Sequence, residues 1–284
     1  MRVLVTGVKG QLGYDVCKRL DALQIENRGV DIEDFDLTRR EQVDVYLDEY
    51  RPNVVVHCAA YTAVDAAESN EALCMAINAE GTRNVACACE RLHAKIVYPS
   101  TDYVFDGSGT TPFETDSRTA PQNVYGRSKL TGELAIAELT ERYFIVRISW
   151  VFGVNGKNFV KTMLRLGAEK ESVSVVSDQV GSPTYTEDLA VLLCDMLQTE
   201  RYGVYHATNE GVCSWSEFAQ SIMQIAQLPC RIAPVSSTDY PTAAKRPLNS
   251  RMSKRSLDEA GFSRLPNWED ALERYLNELQ EGNH

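Results

Sequence analysis

Short apolar runs alternate with stretches of helical periodicity along the first half of the chain. The runs occupy residues 3–6, 54–58, 96–98 and 144–148. A short continuous apolar run is typical of a strand buried on both faces of a parallel sheet. Between the runs, apolar residues recur every three or four positions, as Leu12, Val16 and Leu20 do, which indicates amphipathic helices. This alternation predicts an α/β fold with a doubly wound parallel sheet and right-handed crossovers.

A glycine-rich turn joins the first predicted strand to the first predicted helix. Gly7, Gly10 and Gly13 form a Gly-x-x-Gly-x-x-Gly pattern there. Glycines permit a tight turn and a close approach of the backbone to a ligand, and a helix N-terminus offers free N–H groups to a diphosphate. Such a turn also serves packing alone. Because a strand precedes it and a helix follows, we predict a Rossmann-type dinucleotide site.

The residues after the second strand bear on the choice of dinucleotide. Asp31 ends that strand, roughly where an acidic side chain meets the adenosine ribose of NAD. Asp36 has a competing role as a cap of the helix that follows. Lys9, inside the glycine turn, could instead attract the 2′-phosphate of NADP. The choice between NADH and NADPH therefore stays open.

Tyr125 and Lys129 form a Tyr-x-x-x-Lys at the start of a helical pattern. Residues four apart lie on one helix face, about 6 Å apart along the axis. A nearby ammonium favours the phenolate and lowers the tyrosine pKa from about 10, so the pair suits proton transfer. The stretch 100–103, Ser-Thr-Asp-Tyr, ends the fourth strand and places hydroxyls at the carboxyl edge of the sheet, where ligands bind in such folds. The spacing alone is weak evidence, and the strand-end hydroxyls strengthen it.

After Trp150 the regular alternation of strand and helix ends. A strand over 173–176, an amphipathic helix over 187–197, a sheet strand over 202–206 and helices over 215–226 and 268–279 follow. We predict an NAD(P)-binding Rossmann domain at residues 1–150, to which 178–208 returns. Residues 151–177 and 209–284 then form a small C-terminal substrate-binding lobe over the carboxyl edge of the sheet, the usual place for a substrate cleft.

The charge and composition of the chain limit the classes of binding partner that we expect. The net charge of −11 argues against nucleic acid and anionic membrane surfaces as partners. No apolar run approaches the ~20 residues of a membrane span, and the chain begins directly with a strand, so we expect no signal peptide and a cytoplasmic location. The 8 cysteines include no Cys-x-x-Cys and the 4 histidines lack ligand spacing, so we predict free thiols and no metal site.

Several motifs together carry a family resemblance over nearly the whole chain. They lie at residues 10–13, 58–65, 100–107, 124–129, 147–153, 158–163, 178–184 and 246–250. These residues resemble the extended short-chain dehydrogenase/reductase family, and within it the members that complete dTDP-L-rhamnose synthesis for cell-surface polysaccharide. The glycine turn and Tyr-x-x-x-Lys identify the superfamily, whereas Ser-Thr-Asp-Tyr-Val-Phe and Trp150 narrow it.

The resemblance implies a reaction and its catalytic residues. A hydride from NADPH or NADH reaches C4 of dTDP-4-dehydro-6-deoxy-L-mannose, and Tyr125 protonates the new alkoxide. Lys129 lowers the pKa of Tyr125 and binds the nicotinamide ribose. Thr101 hydrogen-bonds the substrate oxygen in place of the more usual serine. The cofactor supplies the redox chemistry, and the protein supplies position and the proton.

The resemblance also implies two sets of binding residues. The cofactor would contact Gly7, Gly10, Gln11, Leu12, Asp31, Asp36, Leu37, Ala60, Tyr61, Thr62, Tyr125 and Lys129. The sugar nucleotide would contact Thr101, Asp102, Tyr103, Trp150 and Arg246. A guanidinium suits a diphosphate, but a surface salt bridge explains Arg246 equally well. Trp150 follows a buried strand, so a plain core aromatic is its competing interpretation.

Other properties of the family leave alternatives open. Some members form dimers that share magnesium through acidic residues, and others are monomers. Asp15 and Glu187 stand where such ligands could be, but both are natural helix-start residues, and magnesium is not supported by the sequence. Another sugar-nucleotide epimerase or dehydratase of the same family, which returns the hydride to its own NAD, is one alternative function. A non-catalytic NADP-binding regulatory subunit is the other.

Overall fold

The apolar runs form the strands of one central parallel sheet. The structure is a computed structural model that describes residues 1–281. Its strands are β1 (Val3–Thr6), β2 (Asn27–Val30), β3 (Val54–His57), β4 (Lys95–Thr101), β5 (Tyr143–Ile148), β6 (Val151–Phe152), β7 (Ser172–Val176), β8 (Val180–Gly181), β9 (Thr184–Tyr185), β10 (Gly203–His206), β11 (Asn209–Glu210), β12 (Cys213–Ser214), β13 (Arg231–Val235), β14 (Asn249–Ser250) and β15 (Leu265–Asn267). Its α-helices are α1 (Gln11–Ala22), α2 (Arg40–Tyr50), α3 (Val64–Ala67), α4 (Glu71–Met75), α5 (Thr82–Leu92), α6 (Val124–Leu139), α7 (Phe159–Glu169), α8 (Thr186–Met196), α9 (Trp215–Ile225), α10 (Arg255–Ala260) and α11 (Trp268–Glu281).

The six-stranded sheet has the order β10-β5-β4-β3-β1-β2, with every neighbouring pair parallel. The chain reverses its direction of winding between β1 and β3, so these strands flank a topological switch point. In open α/β sheets a crevice forms outside the carboxyl ends of the strands at such a point. The register sets Thr6 of β1 beside both Val30 and His57, so the three strands end at one level.

Helices cover both faces of the sheet, as the sequence predicts for a doubly wound fold. On one face, α1 and α8 pack against β1, β3 and β5 through a cluster that includes Val16, Leu20 and Leu193. On the other face, α2, α5 and α6 pack through a cluster that includes Leu47 and Ile136. Because both faces are covered, β1, β3 and β5 are apolar at nearly every position, which explains the unbroken runs in the sequence; the edge strand β2 is more polar and partly exposed.

A second apolar core lies outside the sheet. It joins α7, α9 and α11 with the short strands β6 and β9. Near its centre, the ring of Phe152 packs at an angle to Phe218 and edge to face with Tyr275. Strand β8 pairs with β12 and β14 on this side, whereas α8 packs on α1 and β10 extends the main sheet. We therefore propose that the return to the Rossmann domain, predicted for 178–208, is made by α8 and β10. Residues 282–284 of the predicted lobe lie outside the described residues.

Two local features concern the helices in the first half of the chain. The helical segment from α4 to α5 is continuous, but it widens to a π-helix over Ala76–Gly81. Asp36 does not cap α2, because Arg39 stands at the N-cap, and Asp36 instead accepts hydrogen bonds from the backbone and hydroxyl of Thr38. Over residues 1–281, none of the helices combines the length and apolar character that a bilayer crossing requires.

Candidate active site

A cleft of about 1060 Å³ runs along the carboxyl edge of the sheet. Its walls come from the glycine turn after β1, the ends of β2 to β5 and the first turn of α6. Residues 148–151 and 156–157 close it from the side of the second core. The volume is slightly above the usual range for sites that hold one small molecule, which suits two ligands bound side by side.

The glycine turn is shaped for a diphosphate. Gly7 has a φ of +69°, and a Cβ on it would lie 2.6 Å from the backbone nitrogen of Ala59. A Cβ on Gly13 would lie 2.3 Å from the Gly7 carbonyl oxygen, so α1 packs against the turn at a distance that only a glycine at position 13 permits. No side chain caps α1, whose N-cap is Gly10, so its first amides remain available to an anion. The residues present therefore fit a dinucleotide.

Asn123 and Gly126 set the position of Tyr125. The Asn123 side chain caps α6 by accepting from the Gly126 amide at 2.8 Å, and a Cβ on Gly126 would lie 2.2 Å from the Tyr103 carbonyl oxygen. The start of α6 thus lies directly against the end of β4. Tyr125 and Tyr103 meet edge to face, with ring centroids 5.6 Å apart.

The electrostatics of Tyr125 differ from the sequence-based expectation. Burial raises its pKa, and the nearby Asp102 and Tyr103 raise it further. A hydrogen bond to the Thr101 side chain lowers the pKa but does not offset the effect of burial. Helical spacing to Lys129 therefore does not by itself produce a low tyrosine pKa. At neutral pH the phenol is protonated, which is the form that a proton donor needs.

Lys129 is buried and directed at the sheet. Its Nζ donates to the Pro99 carbonyl oxygen at 2.8 Å and lies 3.8 Å from the centre of the Tyr98 ring. Burial lowers its pKa from 10.5 to about 7, and the carboxylate of Glu133 opposes that shift. An ammonium has three N–H donors, so the bond to Pro99 leaves two of them for other partners.

Thr101 and Asp102 lie at the end of β4, beside Tyr125. The Thr101 hydroxyl donates to Asp102 Oδ1 at 3.1 Å and accepts from the Tyr103 amide. Asp102 Oδ2 accepts from the Ser250 hydroxyl at 2.5 Å. Burial raises the pKa of Asp102 to about 6, with the Ser250 and Thr101 hydrogen bonds opposing the shift. These contacts hold the Thr101 hydroxyl at the cleft wall.

Trp150 has a left-handed backbone, with φ of +52°, and lines the cleft. Its ring stacks on Trp215 with centroids 3.9 Å apart, and the absence of a side chain on Gly181 leaves it room. Trp150 is half-buried, so it is not a plain core aromatic. A φ in this region is uncommon for a bulky residue and occurs where the surroundings enforce it, often at functional sites.

The cleft contains most of the binding residues named from the sequence, but two lie outside its wall. Tyr61 is held by backbone hydrogen bonds to the Asn78 side chain and packs in a small apolar cluster beside Tyr125. Arg246 pairs with Asp65 at 2.6 Å and reaches the Tyr103 hydroxyl at 3.3 Å. Its guanidinium therefore combines a surface ion pair with a contact to a residue of the cleft.

Part of the cleft wall and its supports was not predicted from the sequence. The missed wall residues include Ile32, Leu73, Ile77, Pro99, Ser149, Val151 and Lys157. Trp215 and Ser250 support Trp150 and Asp102 from distant parts of the chain. Ser149, Val151 and Ser250 stand within the motifs at 147–153 and 246–250, but no local pattern gives any of these residues a role at the cleft, because only the folded chain brings them there.

Asp15 and Glu187 have different partners. Asp15 is buried, accepts from the Thr186 hydroxyl and has a pKa raised by burial to about 6. Glu187 is exposed and lies 3.5 Å from Lys18. In the part of the chain that the structure describes, no three acidic, histidine or cysteine side chains are grouped to hold a metal ion.

Comparison with known proteins places this arrangement among nucleotide-sugar reductases. Residues 1–281 match the family described as RmlD substrate binding domain. A dTDP-4-dehydrorhamnose reductase of Burkholderia thailandensis is 40% identical over 98% of this chain and 99% of its own. The solved dTDP-4-dehydrorhamnose reductase of Bacillus anthracis, in complex with NADP, is 45% identical with a TM-score of 0.95 over 98% and 99% of the two chains. A Clostridium acetobutylicum orthologue superposes with a TM-score of 0.97 at 39% identity over 99% and 100%.

Proposed function

This chain belongs to the RmlD substrate binding domain family, and from that premise we propose that it reduces the C4 keto group of dTDP-4-dehydro-6-deoxy-L-mannose to give dTDP-L-rhamnose. The reductant is NADPH or NADH, and the enzyme is an oxidoreductase. One observation carries the proposal: Thr101, Tyr125 and Lys129 meet the glycine turn in a single cleft. The sugar nucleotide and the dinucleotide then lie side by side at the edge of the sheet.

In this mechanism the protein positions the reactants and moves one proton. The bound nicotinamide supplies the hydride. Tyr125, kept neutral by burial, donates its phenolic proton to the C4 oxygen as charge develops there. Thr101 lies beside it, and its single O–H donor turns from Asp102 Oδ1 to the same oxygen, which fixes the carbonyl for attack.

Lys129 has a positioning role in the proposal. Its bond to the Pro99 carbonyl fixes the direction of the ammonium, and its two remaining N–H donors are available to the nicotinamide ribose. Trp150 and Tyr103 form the apolar and hydroxyl-bearing wall for the sugar. Arg246, next to Tyr103, approaches the diphosphate of the sugar nucleotide when it exchanges its partner Asp65.

The oxidation of added cofactor tests the proposal. Loss of the absorbance of NADPH or NADH on addition of dTDP-4-dehydro-6-deoxy-L-mannose is expected, and Tyr125→Phe should reduce the rate by at least ~100-fold. Tyr143→Phe is the matched control, because Tyr143 stands at the opposite end of β5 from the cleft. Unchanged turnover in Tyr125→Phe would contradict the proton-donor role.

The same assay separates the rival functions. An epimerase or dehydratase would turn over with tightly held NAD and no added reductant. A regulatory subunit would bind the cofactor without oxidising it, and its biological activity would survive Tyr125→Phe. We further propose a cytoplasmic enzyme that acts as a monomer or homodimer in nucleotide-sugar supply for polysaccharide synthesis.

A further inference from the structure

We propose that Asp102 is a positioning residue whose carboxyl group, held by Ser250, sets the direction of the Thr101 hydroxyl. The inference rests on the proposed function and deepens it, since it concerns the hydroxyl that hydrogen-bonds the C4 oxygen. It depends on a chain of hydrogen bonds that runs from Ser250 in β14 through Asp102 and Thr101 to Tyr125.

The Thr101 hydroxyl has one O–H donor and two acceptor lone pairs. It donates to Asp102 Oδ1 at 3.1 Å and accepts from the Tyr103 amide at 3.2 Å. With its only donor directed at Asp102, the hydroxyl leaves a lone pair, and no hydrogen, for Tyr125 and the cleft. That lone pair accepts the phenolic hydrogen of Tyr125 and has nothing to give a carbonyl oxygen. In this arrangement both hydroxyls are turned away from the C4 oxygen.

A neutral Asp102 reverses this hydrogen bond. The carboxylic acid donates its O–H to the Thr101 oxygen, which then accepts from both Asp102 and the Tyr103 amide and uses both of its lone pairs. The Thr101 O–H is thereby free to donate to the C4 oxygen, and the Tyr125 proton is no longer drawn to Thr101. Thr101 neither gains nor loses a proton, because the only proton that is added is the one that Asp102 takes from solvent.

The surroundings of Asp102 favour the neutral acid. Its side chain is buried, and in the part of the chain that the structure describes its side-chain partners are the hydroxyls of Thr101 and Ser250, not a cation. A buried carboxylate without a cation loses the hydration that stabilises its charge. Burial accordingly raises the pKa of Asp102 to about 6, although the hydrogen bonds from Ser250 and Thr101 oppose the shift.

Ser250 fixes the carboxyl group from the side opposite Thr101. Its hydroxyl is buried and donates to Asp102 Oδ2 at 2.5 Å. Ser250 stands opposite Gly181 in the pairing of β14 with β8, and a Cβ on Gly181 would lie 2.8 Å from the Ser250 Cβ, so a glycine is needed to admit it. Because Oδ2 accepts from Ser250, the acidic proton belongs on Oδ1, the oxygen that contacts Thr101.

One other group near Asp102 titrates in the same pH range. Tyr103 and Tyr125 face Asp102 from its own turn and from α6, and burial raises the pKa of both phenols, to about 12 for Tyr103, so both stay neutral. Arg246 donates to the Tyr103 hydroxyl at 3.3 Å and stays cationic. Lys129 lines the same cleft with a pKa of about 7, so variants at Asp102 are needed to assign the pH dependence.

The pH dependence of kcat/KM for the reduction tests the inference. In the unaltered chain kcat/KM should fall by ~10-fold or more from about pH 5 to about pH 8, as the neutral acid disappears. Asp102→Asn should remove that part of the decline and exceed the unaltered chain at about pH 8, because an amide donates N–H to Thr101 and accepts from Ser250 at any pH. If the ionised carboxylate instead holds a sugar hydroxyl, Asp102→Asn lowers kcat/KM at every pH, and that result would overturn the inference.

Ser250→Ala tests the support of the carboxyl group. It should lower kcat and move the decline to higher pH, because it removes a hydrogen bond that stabilises the charged carboxylate. A decline at the same pH as in the unaltered chain would show a structural role alone and contradict the part assigned to Ser250. Asp106→Asn and Ser108→Ala are the matched controls, since Ser108 donates to Asp106 at 2.8 Å but both are exposed and neither lines the cleft.

Carbon-13 NMR of the side-chain carboxyls, in the full-length chain without sugar or cofactor, separates this inference from the proposed function. The resonance that is absent from Asp102→Asn should titrate with a midpoint of about 6. A midpoint at the ordinary value of ~4 or below would overturn the inference. A chain with the expected titration that reduces no dTDP-4-keto sugar supports the role of Asp102 toward Thr101 and contradicts the proposed function. A chain that reduces the sugar, and whose Asp102→Asn variant is slower at every pH, does the reverse.

Discussion

Removal of the Glu133 carboxylate should destabilise the protein more than any surface substitution. Glu133 of α6 and Arg147 of β5 form an ion pair beneath the catalytic edge, with side chains only 5% and 6% exposed. Arg147 Nη2 lies 2.7 Å from Glu133 Oε2, its Nε lies 3.0 Å from Oε1, and Ser100 donates to the same carboxylate at 2.5 Å. The pair therefore ties α6, which carries Tyr125, to two strands of the sheet.

The expected loss in the free energy of unfolding follows from the unpaired charge of Arg147 that Glu133→Ala leaves in the protein. Arg147 keeps its bond to the Thr115 carbonyl and its place 5.1 Å from the centre of the Phe105 ring, but no carboxylate neutralises it. A buried charge left without its partner costs about 3–5 kcal/mol of the free energy of unfolding. Glu133→Gln, which keeps the volume and one acceptor oxygen, should cost less.

Urea unfolding followed by tryptophan fluorescence measures these differences. Glu169→Ala is the matched control, since its partner Arg165 and Glu169 itself are 60% and 53% exposed, and its cost should stay within about 0.5 kcal/mol. A double variant, Glu133→Leu with Arg147→Met, should recover most of the loss because it buries no charge. Equal losses in Glu133→Ala and Glu169→Ala would refute the reasoning, and a double variant no better than Glu133→Ala would point to lost packing instead of an unpaired charge.

Three further predictions concern the cleft itself. Burial lowers the pKa of Lys129 from 10.5 to about 7, so between these pH values the unfolded chain binds more protons than the folded chain, and the contribution of Lys129 to stability rises with pH. In urea unfolding, Lys129→Met should therefore lose stability relative to the unaltered chain as the pH rises from 7 to 10. A difference in stability that stays constant over this range would contradict the prediction. Gly13→Ala should weaken NADH binding by more than ~10-fold in a fluorescence titration, since its Cβ would lie 2.3 Å from the Gly7 carbonyl oxygen; an unchanged Kd would show that the turn adapts. Trp215→Leu removes the ring stacked on Trp150 and should raise KM for the sugar nucleotide by up to ~10-fold with kcat nearly unchanged, the range expected from an aromatic pair, whereas a fall in kcat alone would argue against this positioning role.

Local patterns in the sequence were sufficient for the fold and for the centre of the candidate site. The valines of residues 54–56 predict a strand buried on both faces, and the Gly-x-x-Gly-x-x-Gly turn predicts the dinucleotide end of the cleft. The strand forms where the pattern predicts it and the turn lines the cleft, because each feature depends on chemistry within one strand or turn. The strand-end position of Thr101 and the helical spacing of Tyr125 and Lys129 are local in the same sense.

Tertiary structure decided the properties that depend on distant neighbours. Helical spacing favours a lowered pKa for Tyr125, but burial raises it, and the depth of a side chain cannot be deduced from its spacing. Asp31 and Lys9 give opposite predictions of the cofactor in the sequence, and only the folded chain pairs Lys9 with Glu33. Supports such as Trp215 lie far along the chain from the residues they hold. The sequence by itself thus determined the strands of the sheet, the glycine turn and the positions of Thr101, Tyr125 and Lys129 on their strand and helix. Packing determined the rest of the cleft wall and the charge, partners and orientation of its side chains, because these depend on contacts between segments that no local pattern encodes.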